Sequence, residues 1–150
     1  MSATGRNPDF ERLVRESFDK QRVMRTLGAL LTRVAPGEVD IELPFSEALT
    51  QQHGFLHAGV VTTVLDSTCG YAAFSLMPPG AGVLSVEFKV NLLAPAKGER
   101  LIARGRVLRA GRTISVCQAD AAIRSGDRET PIATMLATIM TVRDRPEVVG

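Results

Sequence analysis

The chain has 150 residues, enough for one domain with a real core and short for two. With 45% hydrophobic and 23% charged residues it matches ordinary globular composition, which argues against a disordered or fibrous chain. A formal charge of +2, spread among acids, and only 5% aromatic residues provide neither the basic stripe nor the stacking platform of a nucleic-acid binder.

Cys69 and Cys117 stand alone, with no CxxC and no histidine cluster, so neither a metal centre nor a disulfide framework is expected. Reduced thiols in a cytoplasm fit best. Met1 to Phe10 is polar with no apolar leader core, and no run approaches the length that spans a bilayer. Neither export nor membrane insertion is expected.

From Pro8 to Arg25, Phe10, Leu13, Val14, Phe18 and Val23 fall at helical spacing among charges, which predicts one amphipathic helix over about 8–25. The core follows over about 27–142. Gly28 to Val34 and Glu38 to Phe45 flank Pro36-Gly37, and the second alternates Val39, Ile41, Leu43 and Phe45 with polar residues, the pattern of a hairpin with one buried face. After a loop, Ser46 to Leu56, the segment Ala58 to Leu76 is apolar or small nearly all round and reads as a buried helix. Met77-Pro78-Pro79-Gly80 ends it. Val83 to Leu93, Glu99 to Arg109, Thr113 to Arg124 and Pro131 to Val142 read as strands. Their short connectors predict antiparallel neighbours, a four-strand meander. The tail from Arg143 is expected to be loose. A hairpin, one buried helix and a meander make an α+β fold in which a curved antiparallel sheet wraps a central helix, the hotdog arrangement.

Gly54-Phe55-Leu56-His57-Ala58-Gly59, then Asp66, then Leu84 to Pro95, then Arg109-Ala110-Gly111-Arg112 resemble the PaaI-like acyl-CoA thioesterases, over about Leu27 to Val142. The resemblance implies hydrolysis of an acyl-CoA to a free acid and CoA, with CoA as part of the substrate and no other cofactor. It implies that Asp66 is the catalytic carboxylate, acting as general base or nucleophile. By the same resemblance Gln51 stands where many relatives carry Asn to hold the thioester or the water. Ser85 matches a hydroxyl beside the attacking water, and His57 is a positioning group. Ala58 replaces the first glycine of a His-Gly-Gly motif. It can serve through its amide if positive φ is not required there.

If Ala58 begins the helix, the first amides, at Ala58 and Gly59, are unpaired and positively polarised, a place for a carbonyl oxygen that becomes negative. Asp66 lies two turns on, roughly 10 Å along the axis, whereas an attacking water sits about 3 Å from base and carbonyl alike. One helix cannot supply both parts. The helix start of one subunit is therefore expected to face Asp66 of a second, in a homodimer or dimer of dimers with shared active sites, as in the resembling thioesterases.

The phosphates of CoA call for cations, and Arg112, with Gly111 and Arg109 on the same turn, leads a set that includes Lys97, Arg100, Arg104 and Arg106. Each residue also has a plainer reading. Asp66 could be a structural carboxylate bonded to threonines or serines, Gln51 a loop amide, Ser85 a tolerated small residue and the arginines ordinary surface charge. Cys69 reads as core, and Glu87 and Lys89 as a solvated strand face. Two rival functions stay open: a hotdog hydratase or dehydratase using His57 and Asp66, and a non-catalytic acyl-CoA-binding module.

Overall fold

The computed structural model of the chain describes residues 7–150. The expectation that residues 1–10 carry no leader falls partly on 1–6, which lie outside the described residues. The elements, in order, are α1 (Phe10–Lys20), α2 (Arg22–Leu27), β1 (Leu30–Ala35), β2 (Glu38–Pro44), a 3-10 turn (Glu47–Leu49), α3 (Ala58–Phe74), β3 (Gly82–Leu92), β4 (Arg100–Arg109), β5 (Ile114–Ser125) and β6 (Arg128–Val142). All strands join one antiparallel sheet, ordered β1-β2-β4-β5-β6-β3, and α3 lies across its concave face.

The period-2 pattern of β2 is realised as read: Val39, Ile41 and Leu43 are fully buried while Glu38, Asp40 and Glu42 face outward. On β5 and β6 the buried residues include Ala119, Ala121, Ala133 and Ala137, and the helix can approach closely there. Contact is tightest at Gly105 of β4, where a Cβ would stand 2.7 Å from Thr68 Cγ2 and 2.9 Å from the Thr68 carbonyl oxygen. The end of α3 is held too. Ser75 Oγ donates to the Ala72 carbonyl and accepts from the Gly37 amide, tying the helix to the β1–β2 turn and ending it before Leu76.

Two expectations are corrected. The N-terminal helix over 8–25 is two helices, because Gln21 is extended (ψ 99°) between them. Val14, Phe18 and Met24 bury their side chains while Val23 stays exposed. The meander is also shorter than expected: β3 pairs with β6, and β4 pairs with β2. Residues 93–99 carry the chain past three strand spacings, about 14 Å, which seven extended residues cover easily. They dock as they cross, through Leu93 N–H to the Ile132 carbonyl and Leu56 N–H to the Ala96 carbonyl. The other expected strands lie within a few residues of their predicted bounds.

This placement leaves β3 on the sheet edge with Leu84, Val86 and Phe88 exposed by 50, 51 and 42%. No helix among the described residues is long and apolar enough to cross a membrane.

Because Gly105 sets how closely α3 approaches the sheet, Gly105→Ala should lower stability by about 1–3 kcal/mol in denaturant titrations. An unchanged midpoint would mean that the helix slides freely on its bed.

Candidate active site

His57 precedes the first turn of α3 in extended conformation, and its Nδ1 accepts a 2.8 Å hydrogen bond from the Gly59 amide. The imidazole is thus the helix N-cap. Its own amide donates to the Leu49 carbonyl, which anchors the cap to the 3-10 turn. The Val60 and Val61 amides both turn back to the His57 carbonyl. The Ala58 amide is left without an acceptor among the described residues, at the positive end of the helix dipole. Ala58 does not have positive φ, so the replacement of glycine by alanine leaves that donor in place.

Gln51 stands beside this helix start. Its Oε1 accepts from the His53 amide, and its NH2 group makes no hydrogen bond among the described residues. Gln51 and Ala58 line one cavity of about 530 Å³, which is otherwise apolar and walled by Phe55, Leu92, Leu93 and Pro95.

Asp66 lies elsewhere. Expected to be buried, it is half-buried in the single chain, because its side of α3 looks toward the uncovered edge at β3. Ser85 Oγ of β3 donates to Asp66 Oδ1 at 2.6 Å, which orients the carboxylate and leaves Oδ2 without a hydrogen-bond partner among the described residues. The pair opens into a second cavity of about 470 Å³. The structure thus joins Asp66 with Ser85, and Gln51 with Ala58, but does not join the two groups within one chain; the Gly59 amide, expected to be free, is taken by the His57 cap.

Of the basic residues, Arg100 is paired with Glu42, Arg104 with Glu129 and Arg106 with Asp120. Lys97, Arg109 and Arg112 form no ion pair among the described residues. Arg112 and Gly111 line a third cavity, about 740 Å³, at the far end of α3; Arg109 does not. Arg143, from the tail expected to be loose, donates to the Arg112 carbonyl and lines the same cavity. No sequence signal marked Arg143, since only the return of β6 beside the β4–β5 turn brings it there. Glu87 is exposed and accepts from Thr138 on β6, a solvated strand residue as read. Both cysteines are buried, and burial pushes the Cys69 thiol far up and that of Cys117 to about 12. Neither is a nucleophile at neutral pH.

The curved antiparallel sheet wrapped on one helix defines a hotdog fold, and residues 53–130 match the thioesterase superfamily. The chain belongs to that family. Human acyl-coenzyme A thioesterase 13 is 33% identical over 98 residues, covering 64% of this chain and 69% of that one. A crystal structure of a thioesterase family protein from Silicibacter pomeroyi superposes with a TM-score of 0.88 at 54% identity, over 89% of this chain and 98% of the other. The E. coli PaaI protein shares the fold, with a TM-score of 0.81 at 14% identity over 89% of this chain and 94% of its own. The expected fold and the thioester-hydrolase class are met at this level.

Capping by His57 makes a distinguishing prediction. His57→Ala should cost about 0.5–2 kcal/mol of stability and lower activity, while His57→Asn, another good N-cap, should recover most of both. Failure of Asn to restore activity alongside stability would assign His57 a chemical role.

Proposed function

We propose that the protein hydrolyses acyl-CoA thioesters at sites formed between two copies of the chain. The observation that carries this reading is the separation of the half-sites. The free Ala58 amide and Gln51 share one cavity, and Asp66 and Ser85 share another. Neither cavity alone holds both the helix-start amide and a carboxylate. The exposed edge of β3, with Leu84, Val86 and Phe88, offers a surface on which a second copy can continue the sheet and bring its α3 alongside. A dimer of dimers built from such pairs remains compatible with this arrangement.

In this reading the thioester carbonyl oxygen points at the Ala58 amide, with the Gln51 NH2 group beside it. The Asp66 carboxylate of the other chain takes a proton from water as the water oxygen attacks the carbonyl carbon. The negative charge that forms on the carbonyl oxygen meets a donor already in place. Collapse of the adduct breaks the carbon–sulfur bond, and the proton held by Asp66 passes to the leaving thiolate, giving free acid and CoA. Attack by Asp66 itself, followed by hydrolysis of the resulting anhydride, uses the same geometry. Ser85 holds the carboxylate in register in either case. The CoA phosphates are assigned to Arg112, with Gly111, Arg109 and Arg143 around the far end of α3.

The hydratase reading has less support, since the cap bond occupies Nδ1 of His57 and leaves only Nε2 for proton transfer. The binding-module reading loses its main argument because Ala58 keeps its amide free. Two buried, reduced cysteines favour a reducing compartment such as the cytoplasm.

Purified protein should release thiol from an acyl-CoA, and Asp66→Asn should lower kcat by about a hundredfold or more. Thiol release at the wild-type rate in that variant would remove Asp66 from the chemistry.

A further inference from the structure

The cavity beside Asp66 has a polar far wall that the hydrolytic chemistry does not use. It is built by the elbow between α1 and α2. Gln21, extended where the helix breaks, accepts a 2.9 Å hydrogen bond on Oε1 from Ser67 Oγ, so its carbonyl end is engaged while its NH2 group donates to nothing among the described residues. Lys20 lies beside it and forms no ion pair among the described residues. Ser17 Oγ and the Tyr71 hydroxyl lie 3.3 Å apart on the same wall, and burial raises the Tyr71 pKa, so that hydroxyl remains a donor.

The floor between Asp66 and this wall is Gly70, one helical turn beyond the carboxylate. It is buried, yet a Cβ placed on it would meet nothing within 4 Å. A glycine inside a helix costs roughly 1 kcal/mol relative to alanine. Here it keeps a channel open along α3 from the carboxylate to the donors, about 6 Å for one turn.

We infer that this channel receives the acyl group, and that it selects acyl groups carrying an oxygen acceptor, a carboxylate or hydroxyl, at the end remote from the thioester. The inference rests on the thioesterase reading and deepens it. An unsubstituted alkyl end would leave the Gln21 NH2 group and the Tyr71–Ser17 hydroxyls facing a methyl group, a mismatch that a site built of donors penalises. A terminal oxygen satisfies them, and Lys20 adds a preference for a carboxylate over a hydroxyl. The N-terminal helices thereby become the specificity wall.

The test compares kcat/KM for hexanoyl-CoA, 6-hydroxyhexanoyl-CoA and adipoyl-CoA, a series alike in length and different only at the far end. The wild-type protein should favour both oxygen-ended substrates over hexanoyl-CoA, adipoyl-CoA by about tenfold or more. Gln21→Leu should bring both ratios toward one, and Lys20→Met should lower the adipoyl ratio more than the hydroxyhexanoyl ratio. Gly70→Ala, which favours the helix and so keeps the fold, should lower kcat/KM for all three six-carbon substrates relative to acetyl-CoA. Thiol release with no preference among the three, or ratios unmoved in Gln21→Leu and Lys20→Met, would overturn the inference and leave the thioesterase reading standing. Thiol release from phenylacetyl-CoA or palmitoyl-CoA but from none of the three six-carbon substrates would overturn the inference alone, and release from no acyl-CoA of the whole set would overturn both.

Discussion

Helix α3 is a rigid ruler, and its length decides the chemistry. Its amide donor sits at Ala58 and its carboxylate at Asp66, just over two turns on and roughly 12 Å away. Nothing can bend that distance. Ser75 ties one end to the β1–β2 turn, His57 ties the other to the 3-10 segment, and Gly105 seats the middle on Thr68 with no room to spare. Opening two separate cavities from one helix is the direct consequence, and in the proposed mechanism a second copy of the chain brings base and carbonyl together.

The sheet follows from the same constraint. A helix nearly all apolar must be covered on most sides, and β2, β3, β4, β5 and β6 do so with alanines where closeness is needed and larger side chains elsewhere, while α1 adds a lighter contact. Asp66 lies under the edge strand, β3, and so stays reachable from the end of the sheet. In the proposed dimer the apolar residues that β3 leaves exposed are where the second copy fits.

Sequence patterns made the central features legible because they are local. The all-round apolar run from Ala58, the strict alternation of β2 and the Pro-Pro-Gly stop after Met77 each name an element without reference to the rest of the chain. What escaped reading depends on contacts distant in sequence. The position of β3 beside β6 is set by where residues 93–99 dock under Leu56, and a short connector alone suggests a neighbouring strand. The break at Gln21 carries no proline or glycine, and its side chain meets Ser67, 46 positions away. Asp66 could be singled out as a lone acid on an apolar helix. Its partial exposure could not, since that depends on which strand lies over it. Arg143 was hidden for the same reason.

The most direct measurement of the shared site mixes two disabled chains. Asp66→Asn removes the carboxylate. Ala58→Pro removes only the free amide, because proline is tolerated at the first helical position and His57 already has the extended backbone that must precede it. Each homodimer should be inactive, while mixed dimers hold one site with an intact Ala58 from one chain and an intact Asp66 from the other. Random mixing of equal amounts should restore about a quarter of the wild-type specific activity. Mixed dimers with no thiol release, or a protein that stays monomeric while fully active, would show that donor and base act within a single chain.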